Sequence, residues 1–212
     1  MTNIGQITVD YVDHMGNDNT VVNAARVSFS KPAENYTEEQ NVRLIKYLAM
    51  HNHWTPFSHT SVQLKVAAPI FVARQLFKHQ IGGTINEVSR RYVTDDPAFY
   101  IPKEWRSKPV NAKQGSGDLI IADIDITQHV DNSVTLYNEL LSKGVAPEMA
   151  RMVLPQNMMT EWYWTGSLVF WARVCNLRLD SHTQEESRMV AQPISDICSK
   201  LFPVSWPQLV KN

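Results

Sequence analysis

The sequence predicts a single α+β domain covering residues 1–212. Alternating apolar residues suited to half-buried strands occur in "ITVDYV" and "SVQLKVAA". Helical spacing occupies much of the remainder, most densely from Thr165 to Leu201. The 212 residues suit one core of ordinary size, and no internal repeat or low-complexity segment divides them.

In chain order, "ITVDYV" reads as a short strand and "NTVVNAARVSF" as a short helix leading to Ser28. Thr37 followed three residues later by Gln40 forms a capping-box pattern. Val42, Ile45, Leu48 and Ala49 continue that helix, and Thr55-Pro56 is expected to break it. After the strand "SVQLKVAA", Pro69 suits the first position of a helix from Ile70 to about Gln80. The Gly82-Gly83 loop follows, and "GSG" at 115–117 marks a flexible stretch. "ITQHVDNSVTLYNELLSKG" reads as a helix ending at Gly144, and Pro147 opens another through "EMARMVL". The last helical region is expected to be interrupted near Asp180 and Pro193.

With 20 basic and 21 acidic side chains, no global field draws in a polyanion or an anionic membrane, so any anion site is local. Cys175 and Cys198 show no zinc spacing and no disulfide framework, and read as thiols of a reducing compartment. The N-terminal residues lack a basic segment followed by an apolar run, so no signal peptide is expected. Apolar runs fall well short of the roughly 20 residues that span a bilayer. The expected location is cytoplasmic, or the host cytoplasm if the source is viral.

Chemistry concentrates in "RQLFKHQIGGTINEVSRRY", where Arg74, Lys78, His79, Arg90 and Arg91 flank a glycine pair and an Asn-Glu. On a helix Gln75, Lys78 and His79 share one side, offering an amide, a point charge and a switchable imidazole. The glycines permit close backbone approach to a ligand, and Glu87, Ser89 and Arg91 alternate along an extended segment. A nucleic acid, a phosphorylated small molecule and a solvated surface all fit that composition. His51, His53 and His59 could hold zinc as a metal-dependent hydrolase would, although a helix C-terminus also favours histidine. Arg151 and Arg178 sit in apolar settings where a charge needs a partner; for Arg178, Asp180 is the nearest candidate. The run from Met158 to Trp164 reads as core or subunit interface. Neither cysteine reads as a nucleophile, since no activating base lies beside it.

Eight blocks in order, "MGND", "AARVSF", "HNHWTPFSH", "APIFVARQLFKHQ", "NEVSRRY", "FYIP", "ARMVLPQN" and "NLRLDSH", resemble the flavin-dependent (alternative) thymidylate synthases over nearly the whole chain. The resemblance implies an α+β fold with a central antiparallel or mixed sheet, assembled as a homotetramer with sites where subunits meet. It implies FAD as cofactor, with methylenetetrahydrofolate and NADPH as co-substrates in converting dUMP to dTMP. No nucleic acid polymer, membrane or metal is expected. By position, Gln75, Leu76, Phe77, Lys78, Glu87, Val88, Ser89, Arg90, Arg91 and Arg151 would contact dUMP. Arg178 would contact dUMP too, as the catalytic arginine that ionises the uracil. His53, Thr55, Lys78, His79, Gln80, Glu87, Ser167, Arg173 and His182 would contact FAD. Lys78-His79-Gln80 replaces the usual Arg-His-Arg, the following loop is one residue longer, and Ser167 and Arg173 replace usual asparagines.

Overall fold

The computed structural model describes residues 2–93, 95–110 and 115–211. The first half contains β1 (Asn3–Ile4), β2 (Thr8–Met15), α1 (Asp18–Arg26), α2 (Glu38–Met50), β3 (Ser61–Pro69), α3 (Ile70–Leu76), β4 (Gly83–Glu87) and β5 (Ala98–Phe99). The second contains β6 (Trp105–Arg106), β7 (Ile120–Ile121), α4 (Thr127–Ser142), α5 (Pro147–Ala150), β8 (Met159–Gly166), α6 (Leu168–Arg178), α7 (Glu185–Leu201) and α8 (Trp206–Leu209).

The main sheet is antiparallel with strand order β2-β3-β8-β4. Along β3 every second residue, Val62, Leu64, Val66 and Ala68, is fully buried. Their partners Gly166, Trp164, Trp162 and Thr160 on β8 share that face, so one side of the sheet meets the core. The α6 helix lies against it, buried from Leu168 to Ala172 and again at Val174 and Cys175, and Trp171 Nε1 donates to the Val62 carbonyl at 3.2 Å. On the opposite face Lys65 pairs with Glu161 at 3.0 Å and Gln63 bonds Thr165 at 3.1 Å.

Strand β8 goes beyond the sequence pattern. The run from Met158 was expected to be core or interface, and its tryptophans are core. The alternation Glu161-Trp162-Tyr163-Trp164 is that of an inner strand with one face buried. The helix after Pro69 is also shorter than expected: Pro69 closes β3 and caps α3, which ends at Leu76 rather than near Gln80. The chain turns where the Phe77 ring packs edge-on against Trp162, 5.1 Å between centroids.

The glycine pair serves the protein's own packing. Gly82 has φ +87° and makes the turn. Gly83 pairs with Gly166 across β4 and β8, and a Cβ on either would overlap the Phe170 ring. Gly83→Ala should therefore lower stability by about 1–3 kcal/mol, the usual cost of overpacking. Urea unfolding reads this directly, and an unchanged midpoint would contradict the assigned contact.

Other expectations divide. The Thr37 capping box forms, with Gln40 N donating to Thr37 Oγ1 at 3.3 Å and Thr37 N to Gln40 Oε1 at 2.9 Å. That helix ends at Met50, because Asn52 takes a left-handed conformation (φ 55°) before Thr55-Pro56 is reached. Gly144 ends α4 as read, and Pro147 opens α5, a single turn continued by the 3₁₀ turn Arg151–Val153. A break occurs at Asp180, but α7 runs through Pro193 without interruption. Proline inside a helix costs about 3 kcal/mol, and burial of Val190 and Ile194 at about 1.5–3 kcal/mol each offsets it. The "GSG" stretch is held: Gly117 N donates to the Ser107 carbonyl at 2.8 Å. Asp18 at the start of α1 accepts from Val204 N and Ser205 N, both at 2.9 Å, fastening the N-terminal helix to the C-terminal segment. Among the described residues, no helix is long and apolar enough to cross a membrane.

Candidate active site

Edge strand β4 delivers the first wall. Glu87, opposite Trp162, lies on the strand's core-facing side at its end, and Thr160 Oγ1 donates to its Oε1 at 2.7 Å. The Val88 amide donates to the Glu161 carbonyl at 2.9 Å, and the chain then turns, Tyr92 N donating to the Ser89 carbonyl at 3.0 Å. Within that turn Arg91 donates from both N and Nε to Ser89 Oγ at 3.3 Å, while Arg90 donates to the Asp95 carbonyl. Glu87, Val88, Ser89, Arg90 and Arg91 line a cavity of about 890 Å³ together with Arg151. The apolar setting of Arg151 suggested a buried charge in need of a partner. Its side chain is instead exposed, with Nε donating to the Glu148 carbonyl at 3.2 Å.

The second wall is a half-buried corner where α3, α6 and α7 meet. Arg178, on the last turn of α6, donates from Nε to His79 Nε2 at 3.1 Å and from Nη2 to the Gln75 carbonyl at 3.0 Å. That carbonyl belongs to the last turn of α3, where it also accepts a long bond from Lys78 N at 3.4 Å. The Gln75 side chain is fixed in turn, donating to Gln184 Oε1 at 2.5 Å and accepting from Ser187 Oγ at 3.2 Å. Burial lowers the Arg178 pKa. Burial and then the Arg178 charge hold His79 below the ordinary imidazole value. The expected Arg178–Asp180 contact does not form, since Asp180 bonds His182 Nδ1 at 3.0 Å.

A third group lines a cavity of about 160 Å³: His53 from the turn beyond α2 and Arg173 of α6, with Trp54 and Asn176. Thr55 is exposed at the start of the neighbouring 3₁₀ turn. Lys78 and Gln80 are exposed, and since α3 ends at Leu76, Lys78 and His79 do not share a helix face with Gln75 as expected. Other expected contacts are constrained by the fold. Leu76 is fully buried, Phe77 is held on Trp162, and Ser167 Oγ caps α6 by accepting from Phe170 N at 3.3 Å. Leu76 therefore offers a ligand its backbone only. His182 is exposed and already paired with Asp180.

Sequence reasoning missed Gln184 and Ser187, and also the ion pair beside them. Glu186 is 3% exposed and accepts from Arg106 Nη2 at 2.6 Å and from Tyr100 Oη at 3.4 Å, while Arg106 also reaches Glu185 at 2.8 Å. Burial and Glu186 push the Tyr100 hydroxyl up to about 12. The only signal was a buried position within "QEES", which the amphipathic phase of α7 alone exposes.

Among the described residues, none of Lys78, Arg90, Arg91, Arg151, Arg173 and Arg178 makes an ion pair with a carboxylate. His51 and His53 stand 6.3 Å apart between ring centroids, and no three His, Cys, Asp or Glu side chains among those residues group as a metal site would require. Both cysteines are fully buried, and burial raises both thiols well above the ordinary value. A thiol so protonated is a poor nucleophile. The double variant Cys175→Ser, Cys198→Ser should still support turnover. A folded double variant without turnover would contradict this.

In this α+β sheet protein the guanidiniums of Arg90, Arg91 and Arg151 line the groove together with the carboxylates of Glu87, Asp95, Asp96 and Glu161, so a ligand there meets localised charges of both signs. The family model described as Thy1, thymidylate synthase complementing protein, matches residues 10–204. A flavin-dependent thymidylate synthase of Thermosipho africanus is 41% identical over 208 residues, covering 94% of this chain and 89% of the relative. One from Thermus thermophilus is 38% identical over 201 residues, covering 93% of this chain and 73% of the relative. The crystal structure of the UMP/dUMP methylase PolB from Streptomyces cacaoi bound with 5-Br dUMP has a TM-score of 0.85 and 31% identity, with full coverage of both chains. The chain belongs to the Thy1 family and is a flavin-dependent thymidylate synthase by kinship.

Proposed function

We propose that residues 1–212 form one enzyme domain that methylates dUMP reductively to dTMP, with methylenetetrahydrofolate as carbon donor and NADPH as reductant through FAD. The observation that carries this reading is the set of cations around the groove and corner that form no ion pair among the described residues, within a chain of net charge -1. Arg91 and Arg151, with the Ser89 hydroxyl, suit a nucleotide phosphate at the groove. Arg178 suits the base: Nε and one Nη2 hydrogen are used within the protein, which leaves the outer Nη edge as a two-pronged donor. Such an edge stabilises negative charge on the pyrimidine and makes C5 a better nucleophile, without an enzyme thiol adding to the ring.

The residues present also fit a flavin dinucleotide. Lys78, Gln80 and Arg173 are exposed donors suited to a diphosphate, and His53 and Thr55 lie beside Arg173 or its neighbouring turn. When bound, the flavin supplies the reducing hydride. His182 and Ser167 enter that site only if their present bonds to Asp180 and Phe170 are shared or exchanged.

A homotetramer suits the separation of the two walls. Gln75, His79 and Arg178 do not line the cavity bordered by Glu87, Arg91 and Arg151, so a second copy brings the missing wall. Exposed Val88, Tyr92 and Met152 near the groove offer apolar surface for that copy to cover.

The test is a visible spectrum of the purified protein, light scattering, and product analysis with dUMP and UMP as alternative substrates. Flavin absorbance, a tetramer mass and dTMP formed from dUMP are the expected results. Bound zinc without flavin would favour the hydrolase reading. A fully loaded active monomer would exclude shared sites.

A further inference from the structure

Resemblance places His79 at the flavin, yet its ring nitrogen is already committed. A guanidinium can only donate, so the Arg178 Nε bond at 3.1 Å requires His79 Nε2 to be an unprotonated acceptor. The ring is therefore the neutral tautomer with its proton on Nδ1. We propose that His79 is a positioning residue: its Nε2 and the Gln75 carbonyl grip Arg178 at two points and aim its Nη edge at the pyrimidine. This rests on the thymidylate synthase reading only for the identity of the pyrimidine.

Two bonds from different atoms of a planar group fix its plane as well as its position. The Gln75 carbonyl sits on a residue whose side chain is itself clamped by Gln184 and Ser187, so the grip has a rigid base. His79 comes from the turn after α3 and is the titratable acceptor of the two, which makes it the element of the grip that can be switched. Protonation would place N–H against N–H and set a second cation beside the guanidinium. Arg178 is the charged group bearing on the ring, while Gln75 from α3 and Gln184 and Ser187 from α7 are uncharged. Burial and Arg178 both favour the neutral ring, so the grip is intact at neutral pH and opens on acidification.

The experiment compares wild type with His79→Leu and His79→Gln, because a glutamine Oε1 can accept from Arg178 without titrating. dTMP formation is measured per bound flavin from about pH 5.5 to 8.5, spanning the ordinary imidazole value. His79→Leu should lower kcat by about 10–100-fold, the scale of a small misplacement of a catalytic group, with a smaller change in KM for dUMP. His79→Gln should recover most of the rate lost in His79→Leu and lack the acid limb of wild type. Nitrogen NMR of labelled imidazole in wild type should find Nδ1 protonated, with the ring pKa rising in Arg178→Ala, where the charge that opposes protonation is removed. An Nε2-protonated ring overturns the proposal whether or not the protein turns over. So does His79→Leu with the wild-type rate and pH profile. A wild type that binds dUMP with the expected tautomer but makes no dTMP would instead sink the functional reading.

Discussion

Arg178→Ala should lose about 10²–10³ of the dTMP-forming rate at saturating dUMP, the usual loss for one positioned donor to developing charge. Flavin absorbance and oligomeric mass should stay near wild type, since Arg178 is gripped by His79 and a backbone carbonyl and carries no core packing of its own. Arg178→Lys tests the fork against the charge. A lysine keeps the positive charge but cannot hold two protein acceptors and present a planar edge at once, so it should recover only a fraction of the rate. An unchanged rate in Arg178→Ala would remove this residue from the site.

Arg106→Ala should lower stability at pH 7 by about 3–5 kcal/mol, because it strands the buried Glu186 carboxylate. In the wild type, burial pushes the Glu186 carboxyl up, but the Arg106 bond and charge, helped by a backbone bond and by Gln184, outweigh it and the net shift is downward. A depressed carboxyl stabilises the fold above its unfolded value, and that contribution is lost as pH falls through the folded value. Without Arg106 burial dominates and the sign reverses. The variant should therefore regain ground on the wild type as pH falls toward about 4, where the carboxyl protonates. Urea unfolding at several pH values reads both directions. A constant difference across pH would mean that Glu186 is not the group responsible.

What the sequence revealed follows the range of the forces involved. The Thr37 capping box and the Gly144 stop are local, and both were readable. The end of α2 was misplaced because Asn52 takes a left-handed conformation that no residue pattern required. Pro193 misled for the opposite reason: a strong local breaker yields to burial against α6, which only the packed structure supplies. At the candidate site, motif order nominates Arg178, Glu87 and Ser89, but the partners of Arg178 and Gln75 lie about a hundred residues away in the chain. Nothing near Arg178 announces His79 as its acceptor, and nothing near Gln75 announces Ser187. The packing role of Gly83 was hidden likewise, since the ring that needs the space, Phe170, arrives from another element.

Strand order has a consequence for how the protein is made. In the main sheet β4 has one neighbour, β8, which follows it in the chain by the distance from Glu87 to Gly166. At about 5–20 residues per second of synthesis, the groove-bearing segment waits roughly 4–16 s on the ribosome with its backbone donors and acceptors unanswered. During that interval Ile85, with Ile81 just ahead of the strand, lies along an open edge of the kind that captures other chains. A nascent chain stalled before Trp162 should thus be more prone to aggregate than one stalled beyond Gly166, where one side of β4 is paired.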